Sequence, residues 1–328
     1  MKQKLIIAIA TLLLLAVIVL VFIDLFRAPS RQQENPEMYS IEKLMRIDSS
    51  QICYREAREL KTGLKDFTGI ILDDRLNAYI CSDREVQVYD HDWKPVDRFV
   101  TDSGITCIGL DGKRDILLGM SNHIEVLSPE GRKLADWKAY NNDSYLTSIV
   151  AIGQEVYAGD AMNKLILHYN MKGELLNTIG KKDKEKGTEG FILPSMYFDV
   201  AAGTDGEIWA VNTGRHLVQQ FNPDGDLVAS WGTASMQLDG FAGCCNPVQM
   251  AILPNGNFVT YEKGLDRMKI YDPTGHYVCA VTGPANIDEK SLNTCTIAAP
   301  VHDIAVDRDG LIYALDAQAM LVRVYEKK

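Results

Sequence analysis

The chain has 328 residues, 46% of them hydrophobic and 24% charged, with 34 Lys and Arg against 44 Asp and Glu and a formal charge of -10. The apolar fraction and a mean hydropathy of -0.09 exclude a disordered chain, which would lack the apolar content for a core, and the pI is near 5.1. The absence of any basic stripe excludes nucleic acid as a partner, because that affinity rests on clustered Lys and Arg that displace counterions.

Leu5 to Ile23 carries no charge, and Thr11 is its only polar side chain. About twenty such residues at ~1.5 Å each cross a hydrocarbon core of about 30 Å, so the segment reads as a transmembrane helix. A cleaved signal peptide has a shorter apolar stretch and a small-residue cleavage site, and Asp24–Ser30 (DLFRAPS) offers none. Lys2 and Lys4 direct the amino terminus to the cytoplasm, although Arg27 and Arg31 on the far flank oppose that bias. Residues 1–27 are therefore expected to be a cytoplasmic tip and a retained signal anchor. Residues 28–38, rich in Arg, Gln, Pro and Glu, read as a polar linker, and a folded domain is expected over 39–328.

Within that domain one unit recurs six times. Each copy has an apolar strand, a Gly or Asp-Gly turn, a second apolar strand, a polar break, and a strand ending in an aromatic or aliphatic residue plus a turn. The third strands are the easiest to follow: Val86–Asp90, Ile124–Gly131, Leu165–Gly173, Val218–Gly225, Met268–Gly275 and Leu321–Glu326. Their spacing of about 40 to 54 residues is the length of one four-stranded blade. Asp205-Gly206, Asn255-Gly256 and Asp309-Gly310 supply the turns between first and second strands. The pattern predicts an all-β fold, a six-bladed β-propeller. The last unit stops at Lys328 directly after its third strand, so its outer strand is expected from the unassigned segment at about 40–60, which closes the ring.

Pro194–Ala201, Gly206 through Trp209-Ala210-Val211-Asn212, and Val218-Gln219-Gln220-Phe221 resemble NHL repeats, with their P-x-x-x-x-V-A, D-G-x-I-W-V and V-x-x-F elements. The likeness covers about residues 65–328, strongest in the last three units. The segments Gly243-Cys244-Cys245-Asn246-Pro247 and Thr260-Tyr261-Glu262-Lys263-Gly264 resemble a membrane-anchored bacterial subset of that family. The resemblance implies a bacterial membrane protein, and the orientation expected of the Leu5–Ile23 anchor makes it single-pass in the cytoplasmic (inner) membrane with its propeller on the periplasmic or extracellular side.

In a propeller the links between blades share one face with the links between second and third strands. That sorting gathers Ser195, Gly243–Pro247 and Cys295 with Ser82–Arg84, Asp160, Thr213–Arg215, Glu262–Gly264 and Gln318. Arg215, Asn246, Glu262, Lys263 and Arg267 are the candidate ligand-binding rim: Glu262 and Lys263 as an acid/base pair or anion site, Arg215, Lys263 and Arg267 as a carboxylate clamp. The alternative for these charges is a solvated loop with a surface ion pair.

Adjacent cysteines rarely bond to each other because the ring is strained. Three readings stand for Cys244 and Cys245: a disulfide from either to Cys279 or Cys295, ligation of a soft metal or an iron-sulfur centre with Cys295 as a third ligand, and buried packing. Cys81 and Cys107 fall in strands and read as core, while Cys53 is left open. No C-x-x-C, P-loop, dinucleotide fingerprint or G-x-S-x-G is present. Two functions follow: a membrane-anchored binding or scaffold module for a protein, peptide or small molecule, or a metal-dependent or redox enzyme. Propellers of related architecture include lyases and lactonases with an axial metal; that analogy nominates Glu262, Asn246 and His302 as ligands.

Overall fold

A computed structural model describes residues 11–17, 19, 21, 47–184, 188–283 and 301–328. The chain divides into Met1–Lys43 and Leu44–Lys328. In the first unit Thr11–Val17, Val19 and Val21 are helical, and among the described residues no helix is long and apolar enough to cross a membrane. The remainder of Leu5–Ile23, the linker at 28–38 and Cys295 lie outside the described residues.

The second unit is a six-bladed β-propeller. Six four-stranded antiparallel sheets follow one another, and in five of them each strand pairs with its neighbour in sequence. Blade 1 uses Phe67–Leu72, Ala78–Ser82, Glu85–Tyr89 and Pro95–Val100 from the axis outward. Blade 4 uses Val200–Ala202, Ile208–Asn212, Leu217–Phe221 and Leu227–Trp231; blade 5 uses Gln249–Ile252, Phe258–Glu262, Arg267–Tyr271 and Tyr277–Thr282. Second strands are buried on both faces because each blade is covered by two neighbours. Ile208–Asn212, Phe258–Glu262 and Ile312–Asp316 are buried at every position except for a little exposure at Asp316, and outer strands such as Pro95–Val100 are mostly exposed.

Short polar side chains set the hairpins. Asp73, Asp111 and Asp307 each accept amide hydrogen bonds from the residues two and four positions on, closing the turn between first and second strands. Asp90, Asn170 and Asp272 do the same between third and fourth strands. Gly275, at φ +85°, lies against the indole of Trp231 at the end of the preceding blade, where a Cβ would come within 2.4 Å of the ring. The glycine is required both for the turn and for this close packing between blades.

The sixth blade is composite. Val301–Val306, Ile312–Asp316 and Leu321–Lys327 receive Tyr54–Leu60 as their outer strand, in antiparallel register from Tyr54 opposite Lys327 to Leu60 opposite Val322. Just before that strand, the Cys53 amide donates to the Ala280 carbonyl at 3.0 Å and the Cys53 carbonyl accepts from Lys328 at 2.9 Å. A Cys53–Cys279 disulfide fixes the same junction, with Cα atoms 6.0 Å apart. The entering strand is thus tied to blade 5 as well as to blade 6. Cys279 is consequently bonded to Cys53, not to Cys244 or Cys245; its place on the outer strand of blade 5 brings it to the ring junction.

The disulfide spans 226 residues of sequence, a long loop whose closure removes much unfolded-state freedom. Cys53→Ser is expected to cost about 2–5 kcal/mol, read as a lowered denaturant midpoint with a steeper slope, because the unlinked unfolded chain exposes more surface. Reducing agent should shift wild type to the variant's midpoint and leave the variant where it is.

Candidate functional site

The final residue of a second strand reaches back to the link that enters its blade. Asp160 accepts the Tyr145 amide at 3.1 Å, Asn212 accepts the Ile192 amide at 2.9 Å, and Glu262 accepts the Ala242 amide at 2.7 Å. All three side chains are fully buried. Glu262 therefore occupies the blade 5 version of a repeated latch.

Around it the link from blade 4 to blade 5 is held by charge. Arg267 donates to both Glu262 oxygens, at 2.8 and 3.2 Å, and to the Met236 carbonyl at 3.3 Å. Lys269 lies 3.0 Å from Glu262 and donates to the carbonyls of Leu238 and Gly240, with Phe241 and Tyr271 rings beside its ammonium. Glu262, Arg267 and Lys269 have no exposure. Burial pulls the Lys269 ammonium down to about 8, against the opposing pull of Glu262. Neither Glu262 nor Arg267 is available to a ligand, contrary to their expected place on an open rim. The link folds over them and its carbonyls consume the donors.

The clamped link presents Gly243–Pro247 at its end. Asn246 is 2% exposed; its amide donates to the carbonyls of Ala242 and Lys263, and its oxygen accepts the Lys263 amide at 2.9 Å. It is a brace, with its side-chain polar atoms occupied. His216 bonds the Gly243 carbonyl at 2.8 Å, tying the link to blade 4. Cys244 is exposed and Cys245 buried, with their sulfurs 3.4 Å apart. Burial raises the Cys245 thiol, but hydrogen bonds from Lys263, Cys244 and Ser195 and the Lys263 charge outweigh it and leave the pKa below its ordinary value. The Ser195 hydroxyl beside it is buried and finds no hydrogen bond of ordinary geometry. Cys81 and Cys107 are buried thiols, the first pushed up to about 12 by desolvation.

Lys263 also sits 5.0 Å from the centre of the Tyr197 ring, which joins this thiol site to the propeller axis. Tyr197 is part of the lining of an axial cavity of about 450 Å³, together with Tyr145, Met196, Gln249 and His302. Arg215 is half-buried and pairs with Glu189 at 3.1 Å. The structure thus brings Cys244, Cys245 and Lys263 together and leaves Arg215 nearby, one residue from His216. Glu262, Asn246 and His302 do not form a ligand set: His302 lines the cavity and the other two are absent from its lining.

Sequence reading missed the polar residues of the inner strands. Asp199 accepts the Met250 amide at 2.7 Å and Asp303 accepts the Ile70 amide at 2.8 Å, lacing blade 4 to 5 and blade 6 to 1. Ser148 bonds the backbone of Phe198 and Val200, and Gln249 donates to the His302 carbonyl. A polar residue at one register of an otherwise apolar inner strand is the signal that identifies them. Burial raises Asp303 to about 7 and, helped by the charge of Asp303, holds Asp199 well above the usual carboxylate range.

No family model and no curated protein sequence matches the chain. The fold is shared. A streptogramin B lyase superposes with TM-score 0.56 at 12% identity, over 86% of this chain and all of that one. Virginiamycin B lyase from Staphylococcus aureus gives 0.57 at 12% identity, over 84% of this chain and 100% of that chain. A structural-genomics protein of unknown function from Bacteroides thetaiotaomicron gives 0.61 at 13%, over 84% and 72% of the two chains. At these identities the likeness is one of architecture.

Two outcomes check this description. Glu262→Gln leaves Arg267 and Lys269 buried against a neutral amide and is expected to destabilise by about 3–5 kcal/mol, measured by chemical unfolding. Asp303 holds its proton more tightly folded than unfolded, so its contribution to stability is complete below about 3.9 and is lost as pH rises towards 7. Asp303→Asn should therefore flatten the fall in melting temperature between those pH values.

Proposed function

We propose that the chain is a ligand-binding propeller tethered to the bacterial cytoplasmic membrane by Leu5–Ile23, with the propeller on the periplasmic or extracellular side. The uncharged amino-terminal stretch and a disulfide suited to oxidising compartments support the placement. The observation that carries the binding role is the axial cavity of about 450 Å³, a size that admits a small molecule or the tip of a peptide. Tyr197 in its lining carries the Lys263 ammonium over its ring, an aromatic surface with a cation beside it. The ligand expected there is a compact molecule with an apolar body and an anionic group. Met196 lines the cavity, so Met196→Trp should abolish, and Lys263→Ala weaken, retention of whatever molecule co-purifies with the full-length protein in native mass spectrometry. Equal retention by wild type and Met196→Trp places the ligand elsewhere.

A second reading, a metal- or iron-sulfur-dependent enzyme, is favoured by the Cys244–Cys245 pair and is compatible with the lyase architecture. Metal that is stoichiometric in anaerobically purified protein and lost in Cys244→Ser would select it.

A further inference from the structure

The two sulfurs at the end of the clamped link form a site of their own, outside the lining of the axial cavity. One is exposed and the other buried, 3.4 Å away and in hydrogen-bond contact, with either able to hold the shared proton. Lys263 supplies a cation beside the buried sulfur, and Asn246 and His216 brace the backbone on both sides. An ammonium at this position stabilises a thiolate and opposes a second cation, so the arrangement suits a nucleophilic sulfur better than a metal ligand.

We propose that Cys244 and Cys245 are a redox-active dithiol that reduces a disulfide substrate by thiol–disulfide exchange. Cys244, the exposed sulfur, attacks as thiolate one sulfur of the substrate disulfide. That S–S bond breaks, a mixed disulfide forms on Cys244, and the first substrate thiolate leaves and takes up a proton from Cys245. Cys245, now a thiolate beside Lys263, attacks the Cys244 sulfur and expels the second substrate thiolate. A dithiol carrying one proton plus a disulfide become a Cys244–Cys245 disulfide, one thiol and one thiolate, so the two electrons, the proton and the charge all balance. The ring joining adjacent cysteines is strained, which keeps the oxidised form easy to reduce again and suits turnover over permanent bonding. Substrates fitting the approach are disulfides on small molecules or on exposed protein loops, since only Cys244 faces solvent.

The test uses full-length protein in detergent with 4,4'-dithiodipyridine as the probe. Wild type is expected to release two equivalents of thiopyridone per pair and to retain no probe on Cys244 or Cys245, with a peptide joining the two that is about 2 Da lighter than its dithiol form. Cys245→Ser should retain the probe on Cys244 as a mixed disulfide. Lys263→Met should slow the reaction at pH 7 about tenfold, the effect of one pH unit in a thiol titration, and Lys263→Arg should restore most of it. Lys263 is partly exposed in a loop, so these two variants report on charge without depending on the core. The proposal is overturned if wild type keeps the probe as Cys245→Ser does, if Lys263→Met reacts at the wild-type rate, if peptide mapping finds Cys245 bonded to Cys295, or if the isolated pair carries stoichiometric metal.

Discussion

A circular array of sheets has one unavoidable weak point, the junction where the first blade meets the last. Here that junction is made by Tyr54–Leu60 adding to the edge of Leu321–Lys327. Without it the last blade would present an unpaired strand and the axial surfaces would not be held in register. The Cys53–Cys279 bond and the short backbone ladder from Cys53 to Ala280 and Lys328 lock the same strand to blade 5. Closure therefore bears directly on the blade that carries the candidate site. The inner strands repeat the logic at the axis, where Ser148, Asp199, Gln249 and Asp303 each reach across to the next blade.

The site is built by the same economy of contacts. In three blades the residue that ends the second strand latches the incoming link, and in blade 5 this residue is a carboxylate able to gather Arg267 and Lys269 under the link. Two cations around one anion in a buried site are costly unless every donor is used. Met236, Leu238 and Gly240 supply carbonyls for them. The charges thus fix the backbone that displays Cys244 and Cys245, and chemistry at the sulfurs depends on groups that never touch a ligand.

The propeller was readable because a period-two alternation, regular turn residues and a blade-length repeat all point to the same architecture. Partnerships across the ring were less readable. Cys53 and Cys279 meet only after 226 residues have wound once around the axis, and no local pattern announces that. Glu262 and Arg267 looked like loop charges because burial there is imposed by a link arriving from blade 4. The neighbouring Lys269, in the sequence Met268-Lys269-Ile270-Tyr271, carried the missed warning: a lysine at an interior register of a strand buried on both faces. By contrast, the sorting of loops by connection type did bring Lys263 and Ser195 towards Cys245. Topology alone specifies that proximity.

Hydrogen exchange followed by mass spectrometry on the intact protein is the most direct test of the closed ring on which these sites depend. The account predicts that amides of Tyr54–Leu60 are protected together with those of Leu321–Lys327 and open only with the propeller as a whole. Rapid exchange of Tyr54–Leu60 while Leu321–Lys327 stays protected would contradict it.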